Sequence, residues 1–576
     1  MHQNSGKSYR IASLFGSLPE DLEHILKTRK KWFEQATMPT HKTSKKGHGG
    51  MAYPSIYTAA IRQHESTKGW EWYHERGGED AFRRRQETRV LSEEESKIYL
   101  PNEGASKNVD FLMGPIQKPK LFTLRTAEAL NITTAWSEML EREPSHSRSG
   151  WIFNLGGKLQ WLQWVANQSG STQYLAAATL QKPPQDFPPW KNPVAPGFSP
   201  TIEWPASIQI WDFKTYKAPG DGKPVKFSTE TPPRLSLLLC TKWGPIKQFH
   251  WCPLATRESG PNAAERDDIH LGLLAGIWGD GKVRVLDIRY PKSSSPIRIR
   301  VDRAAFEAKP PNSIFTSVCW LSATQIAAGT ADGSLAIFDI ARNPHSSPRP
   351  WFYQSVHSSY ITSVTSGWPS RPHLLCTASM DGYQRLLDIR SPSIDTLLSQ
   401  RSRMGSASVT WYEPGQAFIV IDENYTIHAL SARRFHMSMA CGKAPASILT
   451  VAASILHPFM LMGSTDGSVT STNSLRKIMI SKAQMWHQTW FRHEWRAPLK
   501  NAAPSTTTTS PGYAADIFKI WVDNGLPNQY EGVVYNTLYE EAAGVTAVAW
   551  NPNLCVGGWA AAGMADGLVR VEDLAV

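Results

Sequence analysis

One pattern recurs along the chain: an Asp-Gly pair set between two apolar, alternating segments. It reads "GIWGDGKVRVLDI" at 276–288, "AGTADGSLAIFDI" at 328–340, "TASMDGYQRLLDI" at 377–389, "MGSTDGSVTSTNS" at 462–474 and "AGMADGLVRVEDL" at 562–574. A weaker copy, "IVIDENYTIHALS" at 419–431, has Glu423-Asn424 in place of Asp-Gly. Asp and Gly tolerate the positive φ of a tight turn, so the pair between two such strands predicts a β-hairpin. Each copy follows another apolar segment, such as "SIFTSVCWL" or "GVTAVAWNP". Successive turns lie about fifty residues apart at first and in the low forties later, the interval of a propeller blade. The last interval is about double, which predicts an insertion there.

The first copy comes within one residue of a phosphate-binding loop, because Gly276, Gly281 and Lys282 have the spacing of G-x-x-x-x-G-K. Such a loop needs a helix after it, so that the helix N-terminus faces the anion. Here the β-branched, alternating "VRVLDI" follows, Val283 stands where a Ser or Thr should bind magnesium, and the sister copies lack the lysine. The stretch reads as a hairpin, not a nucleotide site.

These units resemble WD repeats, most clearly in "SIQIWDF" at 207–213, with Trp211-Asp212 ending a strand. His357 in "VHSSYITSV" matches the histidine that precedes a blade's first strand in that family, and the resemblance pairs it with Ser379 and Asp381 in a buried network. An additional blade precedes Gly244, built from "KLQWLQWVA", "TQYLAAATL", "SIQIWDF" and "RLSLLLCTKW" around the proline-rich excursion 181–200. The last blade ends after three strands, and "WIFNLGG" at 151–157 is placed to supply the fourth and close the circle. The expected fold is all-β: a seven-bladed WD-repeat β-propeller over 151–576, with a partly helical, partly extended N-terminal extension (1–150) and a long insertion (477–543) before the last blade.

Composition agrees with a turn-rich globular chain: 41% hydrophobic, with 23 Trp, 40 Gly and 40 Pro, and 19% charged. The six cysteines are scattered in apolar contexts with no C-x-x-C pair, so neither a metal site nor a disulfide framework is expected, and no cofactor. No apolar run is long enough to span a bilayer, and the N-terminus lacks a signal-peptide core, so a soluble chain in a reducing compartment is expected. The sequence holds no G-x-S-x-G, no H-E-x-x-H and no complete phosphate loop, so no enzyme is expected. A net charge of +11 makes an acidic partner plausible on charge alone.

Outside the repeats, "LPEDLEHILKTRKKWFEQA" at 18–36 predicts a helix, with Leu22, Ile25, Leu26, Trp32 and Phe33 on one face. Trp32 and Phe33 are candidate docking residues, onto this propeller or a partner. Lys42, Lys45 and Lys46 mark a basic linker, and 78–100 reads as a helix in which Arg83, Arg84 and Arg85 precede Glu93–Glu95. That pattern is a solvated face with internal charge pairs or, alternatively, a phosphate grip. The insertion opens with "KAQMWHQTWFRHEWR". Trp486, Trp490, Phe491 and Trp495 are candidate partner-binding residues there, and Arg492 and Arg496 weaker nucleic-acid candidates, with packing against the propeller as the alternative.

Three features make the likeness more specific: "HLGLLAGIWGDGKVRVLDIRYP" after "FHWCP", the N-terminal "YRIASLFG…KTRKKW", and the long interruption before the final blade. Together they resemble the WD-repeat subunit of RNA polymerase III transcription factor IIIC (the fungal tau-B subcomplex). The resemblance implies a nuclear, non-enzymatic scaffold paired with a second WD-propeller subunit and with the largest DNA-binding subunit. That assembly recognises the internal B-box promoters of tRNA genes, which this chain would touch indirectly or through phosphate contacts. Fungal relatives can carry a basic minor-groove tail with an R-G-R-P core; nothing here matches it, and Lys42–Lys46 is the weaker basic stretch left. The alternative is a WD adaptor of another nuclear complex, a chromatin or ubiquitin-ligase substrate receptor.

Overall fold

The computed structural model describes residues 2–32, 68–101, 108–114, 120–136, 149–168, 171–180, 197–201, 203–217, 225–254, 268–342, 348–394, 396–403, 408–495, 513–516 and 538–575, with a few single positions between them. The molecule is all-β, and its sheets stand as the blades of a β-propeller.

Four consecutive strands build a typical sheet. The third sheet runs Phe315–Trp320, Gln325–Thr330, Ser334–Asp339, Phe352–Ser355, and the fourth Ile361–Gly367, Arg371–Ser379, Gln384–Asp388, Thr396–Leu398. The second starts at Ile246–Trp251 and the fifth at Val409–Tyr412. The middle strands are buried on both faces, which is why "QIAAGT" and "SLAIFD" read as almost unbroken apolar runs. The Asp-Gly turns adopt the predicted conformation. Gly333 has φ +87°, and a Cβ there would meet the His357 carbonyl oxygen at 2.1 Å; Gly467 has φ +78° and the same relation to the His493 carbonyl at 1.9 Å. Only glycine satisfies both the left-handed backbone and the close approach of the backbone at His357 and at His493.

The remaining three sheets are larger because segments from elsewhere join their edges. The first (Leu159–Trp164, Thr172–Thr179, Ala206–Lys217, Arg234–Thr241) takes Ile297–Arg303 in parallel and then Glu87–Val90. The sixth (Ile448–Ala453, Phe459–Ser464, Ser468–Asn473, His487–Trp495) is extended by Tyr513–Asp516, Val109–Met113 and Lys120–Leu124. In the seventh (Val545–Trp550, Trp559–Met564, Leu568–Asp573), the expected closing segment is in place: Gly150–Asn154 pairs antiparallel with Leu568–Asp573, and Ala129–Asn131 lies outside it.

Two expectations for local structure change. The stretch 78–100 is not one helix: helix Gly78–Arg85 gives way to strand Glu87–Val90, then to the short helix Glu93–Ser96 with a Ser92/Glu95 capping box. The open edge of Ile297–Arg303 offers Thr88 and Val90 a ladder that outweighs local helix propensity. The stretch expected to open the insertion supplies instead the fourth strand of the sixth sheet, His487–Trp495.

Candidate interaction surface

The turn that resembles a phosphate loop consumes its own charges. Gly281 has φ +76°, and Lys282 Nζ donates to Glu307 Oε1 at 2.6 Å. The buried Arg284 guanidinium donates to Asp280 Oδ1 at 2.9 Å and lies 4.1 Å over the Trp243 ring. No cation is left facing an anion site, so the turn is a brace.

The conspicuous histidines are braces too. His357 lies between Asp381 Oδ2 (Nδ1 at 3.0 Å) and Thr377 Oγ1 (Nε2 at 2.8 Å). Ser379 belongs to the same network, its hydroxyl accepting from the Asp381 backbone N–H at 3.2 Å. Burial pushes the His357 pKa below its usual value against the pull of Asp381. Between the sixth and seventh sheets, fully buried His493 meets Asp566 Oδ2 at 2.9 Å. Sequence reading passed over this brace, although Asp566 holds the same place in its Asp-Gly turn as Asp381 does. Between the same two sheets the Trp490 indole N–H donates to Glu572 Oε2 at 2.7 Å, and Arg570 pairs with Glu572 at 2.7 Å.

A third cluster pins the N-terminal segment. Tyr73 donates to Asp287 Oδ2 at 2.7 Å, and Arg289 donates to the Tyr73 hydroxyl at 2.9 Å and pairs with Glu79 at 2.8 Å. Gln86 exchanges two hydrogen bonds with the Asp287 backbone, at 2.7 and 2.8 Å.

The sequence-derived candidates scatter rather than converge. Trp32 ends helix Pro19–Trp32 and docks on the propeller itself, edge-on to Phe459 with ring centroids 5.4 Å apart. Trp490 and Phe491, expected at a partner interface, lie in the core at 0% and 1% exposure, so they are closed to a partner while the blade is folded. Trp486 is half-buried, with Arg476 4.7 Å over its ring. Arg492 is half-buried and paired with Glu494 at 2.8 Å, which occupies a cation offered to phosphate. Arg83 and Arg84 are exposed, and Arg85 is half-buried with its carbonyl accepting from Arg303 at 2.8 Å. The acidic run is taken up by local pairs, Glu94 with Lys97 and Glu95 with Arg89. Phe33, Lys42, Lys45, Lys46, Arg496 and the side chain of Trp495 lie outside the described residues. Among the described residues no group of three His, Cys, Asp or Glu is arranged to hold a metal, and all six cysteines are free thiols.

By fold and by these inter-blade braces, the chain is of the WD-repeat class of β-propellers. No family model matches it. It is 26% identical over 529 residues to transcription factor tau subunit sfc6 of Schizosaccharomyces pombe, across 88% of this chain and 78% of that protein. It is 23% identical over 347 residues to the transcription factor tau 91 kDa subunit of Saccharomyces cerevisiae, across 58% of this chain and 46% of that one. The chain is thus related to fungal tau subunits, and the resemblance to transcription factor IIIC read from its sequence is borne out.

Proposed function

We propose that this chain is a non-enzymatic scaffold subunit of transcription factor IIIC, acting in the nucleus. It helps assemble the B-box-binding module on the internal promoters of tRNA genes for RNA polymerase III. The observation that carries this reading is the 26% identity to a tau subunit sustained over 88% of the chain. A rigid ring whose histidines, Trp490 and Glu572 serve its own blades supports a role exercised through surface and loops rather than through a reacting centre. We read the ring as seven-bladed, supported by seven sheets and by the pairing of Gly150–Asn154 with Leu568–Asp573. Its partners on this reading are a second WD-propeller subunit and the largest DNA-binding subunit, with promoter DNA touched indirectly or through phosphates.

The test is affinity capture of the tagged chain from nuclear extract at two salt concentrations. Retention at high salt of a second propeller protein and a very large DNA-binding subunit is the expected result. Recovery of cullin-type or histone-modifying partners in their place overturns the reading.

A further inference from the structure

The N-terminal segments distribute themselves unevenly round the ring. They add strands to the first, sixth and seventh sheets. Leu14, Phe15 and Ile25 enter the core shared by the fifth and sixth sheets, and Tyr73 and Phe82 that of the second and third. Among the described residues, the two core clusters that contain the fourth sheet hold none from ahead of the ring. Its outer strand, Thr396–Leu398, ends the sheet and is paired on one side only among the described residues.

Apolar side chains face water at this edge, as Val90 and Leu121 do at the edges of the first and sixth sheets. Ile394 is 80% exposed, Leu397 53% and Leu398 45%, and in the neighbouring third sheet Tyr353 of the outer strand and Trp351 just before it are exposed too. The strand is short and Asp395 precedes it, but its own residues, Thr396, Leu397 and Leu398, carry neither charge nor proline. The charge around it is one-sided: residues 341–403 contain seven arginines and three aspartates, with no lysine and no glutamate. Two of the aspartates are already held, Asp388 by Arg390 at 2.6 Å and Asp381 by His357 at 3.0 Å, and the third, Asp395, lies outside the described residues. Arg349 and Arg403 are exposed and have no ion pair among the described residues.

We infer that the outer rim of the fourth sheet, centred on Ile394, Leu397 and Leu398 and flanked by Arg401 and Arg403, is the docking site for an acidic, extended polypeptide segment bearing aliphatic side chains. An unpaired strand edge supplies main-chain hydrogen bonds to an added strand, the leucines supply apolar pockets, and the arginines select carboxylates. A nucleic-acid backbone would satisfy the arginines but would leave the three aliphatic side chains in water, so a polypeptide is the better fit. The inference rests on the surface of this chain and stands whichever assembly the chain joins.

The test measures fluorescence anisotropy of a short labelled peptide, alternating glutamate with isoleucine and valine, titrated with the full-length chain. The acidic peptide binds, and its counterpart with lysine for glutamate does not. Leu397→Asp and the pair Arg401→Glu, Arg403→Glu each weaken binding about tenfold or more, as expected for central anchors. Leu121→Asp, at an equally exposed leucine on the outer strand of the sixth sheet, leaves it unchanged. Leu397 and Arg403 are at the surface, so Leu397→Asp and Arg403→Glu keep the parent's melting curve; Arg401 Nε also donates to the Asp381 carbonyl at 3.0 Å, so Arg403→Glu alone separates loss of charge from loss of stability. Absence of binding, equal binding by every variant, or displacement of the peptide by duplex DNA whose own binding falls with the same substitutions would overturn the inference.

Discussion

His457 has both ring nitrogens committed, Nε2 donating to the Gly557 carbonyl at 3.0 Å and Nδ1 accepting the Phe459 N–H at 3.3 Å. A proton on Nδ1 would face another donor, and with complete burial the pKa falls to about 3. Glu413 is the opposite case. It is fully buried; Trp411 Nε1 donates to its Oε2 at 2.6 Å and Ser370 Oγ at 2.9 Å, and burial raises its pKa to about 7. The two therefore push stability in opposite directions with pH. Below the ordinary histidine pKa, the unfolded chain takes up a proton that folded His457 refuses, so its contribution is lost as pH falls from 6.5 towards 3. Folded Glu413 keeps a proton that the unfolded chain gives up, so its contribution is lost as pH rises from 4.5 to 7. Between pH 4.5 and 6.5 they oppose each other. Glu413→Gln is expected to make stability fall more steeply towards acid than in the parent, by ~2 kcal/mol across that window, and His457→Gln to tilt the profile the other way. Urea midpoints at several pH values check this; parallel profiles for all three proteins would contradict it.

Strand His487–Trp495 shows how far an element can be read from sequence. In "HQTWFRHEW" aromatic residues fall on both alternating faces, so periodicity does not say which side is inward. The structure resolves this with a bulge: Val469 pairs with Phe491 and Thr470 with Thr489, which leaves Trp490 as the extra residue. Two consecutive aromatics can then both turn into the core, with ring centroids 5.0 Å apart. The Asp-Gly hairpins and the closing strand were legible because each depends on local turn chemistry or a simple count of edges. The partners of Trp490 and His493 were not, because Glu572 and Asp566 lie 82 and 73 positions away, and nothing local pairs them. Trp490→Ala is expected to cost about 3–5 kcal/mol, the range for removing a buried large aromatic, and to leave Glu572 without its indole donor. Trp486→Ala, at a half-buried ring in the turn before the strand, should cost far less. Guanidinium unfolding compares them, and equal losses would mean that Trp490 is not a core residue.

Closing the ring joins residues more than four hundred positions apart, so the loop entropy is met only once every other blade is in place. Two devices hold the seam. One is the ladder of Gly150–Asn154 against Leu568–Asp573, with Ile152 opposite Arg570. The other is Asn553, which donates to the Val165 carbonyl at 3.0 Å and Gln173 Oε1 at 2.7 Å, while its own Oδ1 accepts from the Gln168 N–H at 3.0 Å. Strand Gly150–Asn154 is paired on both sides, since Ala129–Asn131 lies along its other edge. A proline at Ile152 therefore removes a ladder hydrogen bond and strains the strand, at ~3 kcal/mol or more. The loss should not spread evenly. Blades share cores only with their neighbours, so opening the seam exposes the first and seventh sheets first. In Ile152→Pro, hydrogen exchange is expected to accelerate within 159–179 and 545–573 while 361–388, in the sheet whose cores lie away from the seam, keeps the parent's protection. Acceleration of equal size in every sheet would show that the ring opens as one cooperative body, and that the seam is no weaker than any other interface between blades.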